Sequence, residues 1–372
     1  MIKLSTFTNV QSCMRTNPSA RRFLTIASMV MTGICLMSGP TFGQDNVEAN
    51  DPADRGGRGN FCSQTANLLF RSCWKEATDD RLQARAICLN VSDTTERSQC
   101  LADATTAHNE KRQLCDAQRA GRFDACKLLG ENRYDPKFDP ALFDTDFTHL
   151  TNPNPYFPLT IGNTWEFAGG NETNKIEIVN ETKLIEGVTC VVADDQVFKN
   201  GILAEATDDW FCQAKDGNVY YFGEEVKDYE SFAGDKPRLP ELVSRDGSFK
   251  HGRDGDKGGL FFLAVPKVGA AYLEEFSLGN AEDVTEILSV TYKFGSNSTL
   301  DQFVPQQLSE RFWSNSDCVV TKNYSLIEPG IFARKYYARG IGVFLEVKPE
   351  AGVGVQLVNC NFDKRCDGLP KP

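Results

Sequence analysis

The sequence predicts an α+β protein, with a disulfide-stapled helical N-terminal segment followed by a mainly antiparallel β domain of half-barrel or sandwich type. Three observations predict it. Six cysteines, Cys62, Cys73, Cys88, Cys100, Cys115 and Cys126, lie in a stretch rich in Ala, Arg, Gln, Glu and Leu, with no Pro and one Gly, Gly121, a helix-forming composition. From Tyr156 onward the texture changes to short runs of Val, Ile, Phe and Tyr separated by Gly, Asn and Asp, as in antiparallel sheets. Within that region Asp216-Gly217 divides two strand-like runs between Leu203 and Tyr229 and marks a hairpin.

Along the chain, the apolar run Phe23 to Met37 follows Arg21-Arg22 and precedes Ser38-Gly39-Pro40. A charged flank, a short apolar core and small residues before a polar stretch predict a secretory signal peptide over 1–43; a membrane span needs about 20 apolar residues. Arg21-Arg22-Phe23-Leu24 lacks the spacing of a twin-arginine signal, and Gly33-Ile34-Cys35 is a poor lipoprotein signal. Residues 44–60 are polar and Gly-rich and predict a disordered linker. The helical segment then occupies 61–130, an extended connector 131–155, the β domain 156–360 and a C-terminal tail 361–372.

The cysteine spacings in the helical segment, 11, 15, 12, 15 and 11, read the same in both directions. Eleven residues is three helical turns, so Cys62 and Cys73 share one helix face, as do Cys115 and Cys126. Each pair can bridge to a neighbouring antiparallel helix, and Ser92-Asp93-Thr94 supplies the turn and a new N-cap. Six cysteines allow 15 pairings, which spacing leaves open. In the connector, aspartates alternate with aromatics at Tyr134-Asp135, Phe138-Asp139, Phe143-Asp144 and Asp146-Phe147. The expectation is a strap whose rings dock on the next domain while its aspartates face water.

In the β domain, Trp210, Cys212 and Ala214 share one face of a strand and Phe211 and Gln213 the other. Further strands are expected at Trp165–Phe167, Lys175–Val179, Thr189–Val197, Leu260–Val265, Ile287–Phe294, Phe332–Ala338, Val343–Val347 and Val353–Val358. Helix-period patterns are scarce here. Cys190 and Cys212 lie on segments that could pair, and Cys360 could bridge to Cys366, or either of them to Cys318. An odd number of cysteines remains after the signal is removed, so at least one thiol is free or bridges to another chain, and Cys212, beside Trp210, reads as a buried, inert thiol.

Composition narrows the chemistry. The 372 residues carry 40 Lys plus Arg, 51 Asp plus Glu, 13 Cys and 3 His. A net charge of −11, falling to −15 when Lys3, Arg15, Arg21 and Arg22 leave with the signal, argues against nucleic acid as a partner, and the signal implies no stable membrane insertion. Few histidines and no Cys-x-x-Cys disfavour a metal centre. Asp254 and Asp256 open a loop like a calcium site, but Val265 stands where the closing acid belongs, so a Gly-rich turn is the stronger reading. Acid pairs at Asp208-Asp209, Glu224-Glu225, Glu274-Glu275 and Glu282-Asp283 are expected to be mostly solvated surface. No phosphate loop, dinucleotide fingerprint or nucleophile elbow is present, and no cofactor is predicted.

The segments Tyr156-Phe157-Pro158-Leu159 with Gly162-Asn163, Trp165 and Phe167, then Asp209-Trp210, Gly217-Asn218-Val219-Tyr220-Tyr221-Phe222-Gly223-Glu224, Glu328-Pro329-Gly330 and Lys335-Tyr336-Tyr337-Ala338 together resemble an uncharacterised family of bacterial secreted proteins over about 154–358. The resemblance implies an extracytoplasmic β domain and no substrate.

The functional expectation is a secreted or periplasmic, non-enzymatic protein whose aromatic-rich β domain binds an apolar small molecule or another extracytoplasmic protein. One alternative is an extracellular hydrolase using paired carboxylates, with Asp209 and Glu224 as its candidates. Another is a protein inhibitor acting through the cysteine-rich helices.

Overall fold

The computed structural model describes residues 59–313 and 317–372, so the signal peptide and most of the linker predicted at 1–60 lie outside the described residues. These residues form two compact units. One holds 59–119 with 130–133, the other 120–129 with 134–372.

The first unit is built on α1 (Phe61–Leu89) and most of α2 (Thr94–Leu129). The predicted N-cap is present: the Asp93 carboxylate accepts from the Thr95 and Glu96 amides at 2.8 and 2.9 Å, satisfying donors that a helix start leaves open. Little apolar volume is buried. Ala66, Ala77 and Ala104 are the small buried side chains, beside Cys73, Cys88 and Cys115. Cys73–Cys115 and Cys88–Cys100 are disulfides, and Cys62 and Cys126 are also disulfide-bonded. So thin a seam contributes little hydrophobic stabilisation, and each bridge adds roughly 2–4 kcal/mol by restricting the unfolded chain.

The second unit takes in more than the predicted β domain. The last turns of α2 belong to it because Arg122, buried, clamps Glu282 through two hydrogen bonds of 2.7 and 2.8 Å, and Ala125 packs with Val284 and Leu326. The connector belongs to it because Phe138 and Phe143 dock on Phe222 and Tyr220 and Phe147 joins the main core. That is the predicted strap, with one correction. Asp144 does not face water; it is buried and accepts from the Thr151 amide at 3.1 Å, closing a local turn.

The sheet begins with a meander of β1 (Thr164–Gly169), β2 (Glu172–Ile185), β3 (Val188–Lys199), β4 (Ile202–Gln213) and β5 (Val219–Glu230), the last two joined at Asp216-Gly217 as predicted. The short strands β6 (Glu241–Ser244), β7 (Phe249–Lys250) and β8 (Lys257–Phe262) pair onto β5. After β9 (Ala271–Leu273) and β10 (Glu275–Phe276) comes a second meander: β11 (Asp283–Tyr292), β12 (Cys318–Ser325), β13 (Ala333–Ala338), β14 (Gly342–Lys348) and β15 (Val353–Cys360). β1 pairs antiparallel with β15, Trp165 opposite Cys360. β9 pairs with β11 and β10 with β8. Only Glu274 separates β9 from β10, so one bent segment joins both ends of the sheet, which is nearly closed. Gly259 permits that approach: a Cβ there would meet the Leu273 carbonyl oxygen at 2.3 Å.

A short helix that the sequence reading missed, α3 (Gln306–Phe312), buries Leu308 and Phe312, with the Phe312 ring 5.1 Å from that of Phe344. Covered there and filled within, β14 is buried along nearly its whole length.

Arg122→Met should strand the Glu282 carboxylate in a buried site and cost about 3–5 kcal/mol. Adding Glu282→Gln, which removes that charge and keeps an acceptor for the Gly279 amide, should recover more than half. Urea denaturation of the two variants measures the difference; equal losses would show that the ion pair does not anchor α2.

Candidate functional site

The candidate site is the inner face of the curled sheet. Strand alternation selects its residues. On β4, Glu205, Thr207, Asp209, Phe211 and Gln213 share one phase, and all are buried. Register sets Val191 opposite Phe211, Ala193 opposite Asp209 and Asp195 opposite Thr207 on β3, and Ile176 opposite Asp195 on β2. Aromatic and aliphatic side chains therefore occupy one stretch of this face and carboxyls the next.

The apolar stretch encloses a cavity of about 30 Å³ lined by Phe157, Trp165, Phe167, Ile176, Ala193 and Phe211, among others. The Trp165 indole N–H donates to the Ile341 carbonyl at 2.7 Å, which fixes that wall. Phe211 belongs to both stretches, since it lines the cavity and stacks on Tyr221 with ring centroids 4.9 Å apart.

Beyond Phe211 lie the two carboxyls singled out from the sequence. Asp209 and Glu224 face each other across β4 and β5, both 1% exposed. Each lies in hydrogen-bond contact with the Tyr221 hydroxyl, Glu224 at 2.9 Å. A phenol has one proton to donate, so this is a proton-sharing group, and burial together with Asp209 and Glu224 holds the Tyr221 phenol well above its ordinary value. Asp195 accepts from the Asn174 amide, and burial and the Asp209 charge raise its pKa well above the usual carboxylate range.

A bulge makes the arrangement possible. Residues 221 and 224 would fall on opposite faces of a regular strand, but the β4–β5 register shifts between Trp210 and Phe211, leaving Tyr221 opposite Phe211, Gly223 opposite Trp210 and Glu224 opposite Asp209. Gly223 is required there, with φ 142° and the Phe249 carbonyl oxygen 2.3 Å from where a Cβ would lie.

A second group sits on the other meander. Glu274 accepts from the Asn323 amide at 2.8 Å and from the Thr285 hydroxyl, and burial raises its pKa. Lys335 and Lys348 stand 3.9 and 4.0 Å from the buried Glu346. Tyr337, whose phenol is raised by burial and by Glu274 and Glu346, has its ring 4.5 Å from Phe262 of β8, which places this group on the same interior.

The acid pairs read as solvated surface are therefore corrected: Asp209, Glu224, Glu274, Glu275 and Glu282 are all buried. Their partners Asp208 and Glu225 do reach solvent and pair with Lys227 and Arg245. Asp254 and Asp256 stay on a surface turn, where Asp254 contacts its neighbour Arg253. Among the described residues, no group of three or more His, Cys, Asp or Glu is placed to hold a metal ion. The geometry of Asp209 and Glu224 also departs from an acid and base facing a cleft, since both turn onto Tyr221. Sequence reasoning missed Asp195, Glu205 and Asn174, and also Asp228, buried on β5 opposite Glu205. For Glu205 the available signal was phase, because it lies six residues from Phe211 on the same strand and so shares its face.

The cysteines resolve in the same way. Cys212 is not a free thiol, because continuing the β3–β4 register sets it opposite Cys190, and the two are bonded. Cys360 bonds to Cys366. Cys318 is the free cysteine among the described residues, and burial pushes its thiol up to about 12.

No family model and no curated protein matches the chain. A solved structure named a "putative lipoprotein" from Parabacteroides distasonis is similar over 56% of this chain and 99% of its own, at 11% identity and a TM-score of 0.27. A likeness at that score carries nothing over to this chain.

Two outcomes are expected. A carboxyl whose folded pKa is raised costs stability once pH rises above its unfolded value, near 3.8 for Asp195, and the cost grows until the folded group ionises. Asp195→Asn should therefore gain on the wild type as pH rises from about 4 to about 7, measured by denaturant titration at each pH; a gap that stays constant or shrinks would exclude this cost. Cys318 should resist a thiol reagent in the native protein and react only once the chain is unfolded.

Proposed function

We propose that the chain is an exported, non-enzymatic binding protein, in which a disulfide-stapled helical unit accompanies a β domain that takes its ligand inside the curled sheet. The disulfides support export, since such bridges persist in oxidising compartments, and so does the apolar run at Phe23 to Met37. The place is the periplasm or the extracellular space.

The observation that carries the binding reading is the mixed interior. Ile176 and Ala193 line the apolar cavity, and their cross-strand neighbours are Asp195 and Asp209. Each carboxyl there costs free energy to desolvate, a cost that a ligand supplying hydrogen-bond donors would offset. Binding interiors are mostly apolar with a few polar groups that orient the ligand. A cavity of about 30 Å³ accepts one end of a small molecule, and the polar stretch beyond Phe211 takes the rest.

Native mass spectrometry of the exported chain tests this directly. The expected spectrum carries an adduct that is lost on denaturation and reduced in Phe211→Ala. A bare chain mass, with no shift in melting temperature against a panel of apolar and amphipathic small molecules, would leave the β domain a structural role.

A further inference from the structure

We propose that the interior binds an organic cation rich in N–H donors, an alkylammonium or a short polyamine, between the Asn174–Asp195 pair and Glu274. The inference rests on the binding reading above and adds the chemical class of the ligand.

Two orphaned acceptors carry it. Asn174 is 2% exposed and gives its amide N–H to Asp195, yet its Oδ1 has no donor among the described residues. Glu274, also 2% exposed, takes Thr285 and Asn323 on Oε1, while Oε2 has no donor among the described residues. A buried acceptor left unmade costs its desolvation, and both of these lie among carboxyls, so a donor carrying positive charge is the complement that satisfies each.

Charge and spacing then select the class. Asp195 and Glu274 are both buried acids, and burial in a low-dielectric site strengthens a carboxylate's attraction for a cation. A single metal ion is a poor fit, since among the described residues the acids do not gather in a group of three or more that could hold one. They are distributed along the inner face, which suits a molecule whose several N–H donors are spaced on an apolar stem. The adjoining cavity at Phe211, Trp165 and Ile176, about 30 Å³, has room for one end of the stem.

Calorimetry on the exported chain with hexylamine, 1,6-diaminohexane and hexan-1-ol separates charge from apolar length. Both amines should bind at least about tenfold more tightly than the alcohol, as charge-assisted hydrogen bonds to buried carboxylates require. Glu274→Gln should weaken hexylamine about fivefold or more, and Asp254→Asn, on the surface turn, should leave it unchanged. Alcohol binding equal to amine binding in the unmodified protein would overturn the inference whether or not Glu274→Gln folds. A neutral adduct by native mass spectrometry would overturn it and keep the binding reading. No binding of any probe, with a bare chain mass, would overturn both.

Discussion

Enclosing carboxyl groups inside a nearly closed sheet is the constraint around which the β domain is arranged. Each such group must be neutralised by a proton, a hydrogen-bonded neighbour or a cation, and the last two are visible in the interior. Asp209 and Glu224 meet at Tyr221, Asp195 takes Asn174, and Glu346 has lysines nearby. The aromatic stretch excludes water from one end of this array, and Phe211 couples the two by lining the cavity and stacking on Tyr221. Polar satisfaction and apolar packing therefore act on the same strands, two residues apart.

The other unit solves the opposite problem. Its helices present long polar faces and a seam of alanines, so apolar burial alone cannot hold them, and covalent bridges take over. Where α2 reaches the β domain the means changes again, to a buried bidentate ion pair between Arg122 and Glu282. Geometry makes that pair specific, because guanidinium and carboxylate match only in one plane.

Much of this was legible in the sequence, for local reasons. Helix-forming composition, cysteine spacing, the Asp93 cap and the Asp216-Gly217 turn are short-range signals, and each is realised. The strap of alternating rings and aspartates was legible too, apart from Asp144, whose partner Thr151 is seven residues away. The shared hydroxyl of Asp209 and Glu224 was not, because a bulge at Gly223 reverses the phase between Tyr221 and Glu224 and no periodicity announces it. Helix α3 has seven residues, too few for a helical pattern to repeat. Closure of the sheet through Ala271 to Phe276 depends on two strand pairings at once, information that exists only in three dimensions.

The order of strands has a consequence for how the chain acquires this form. β1 to β5 and β11 to β15 are each runs of sequential hairpins, assembled from contacts close in sequence, and such contacts cost little loop-closure entropy. The pairing of Trp165 with Cys360 spans nearly the whole β domain. By that entropy, the two meanders are the cheaper assemblies and the meeting of their edges is the costlier one. Without that pairing, β1 and β15 would be open strands able to pair with another chain, so the same contact that closes the sheet also removes the two edges through which it could aggregate.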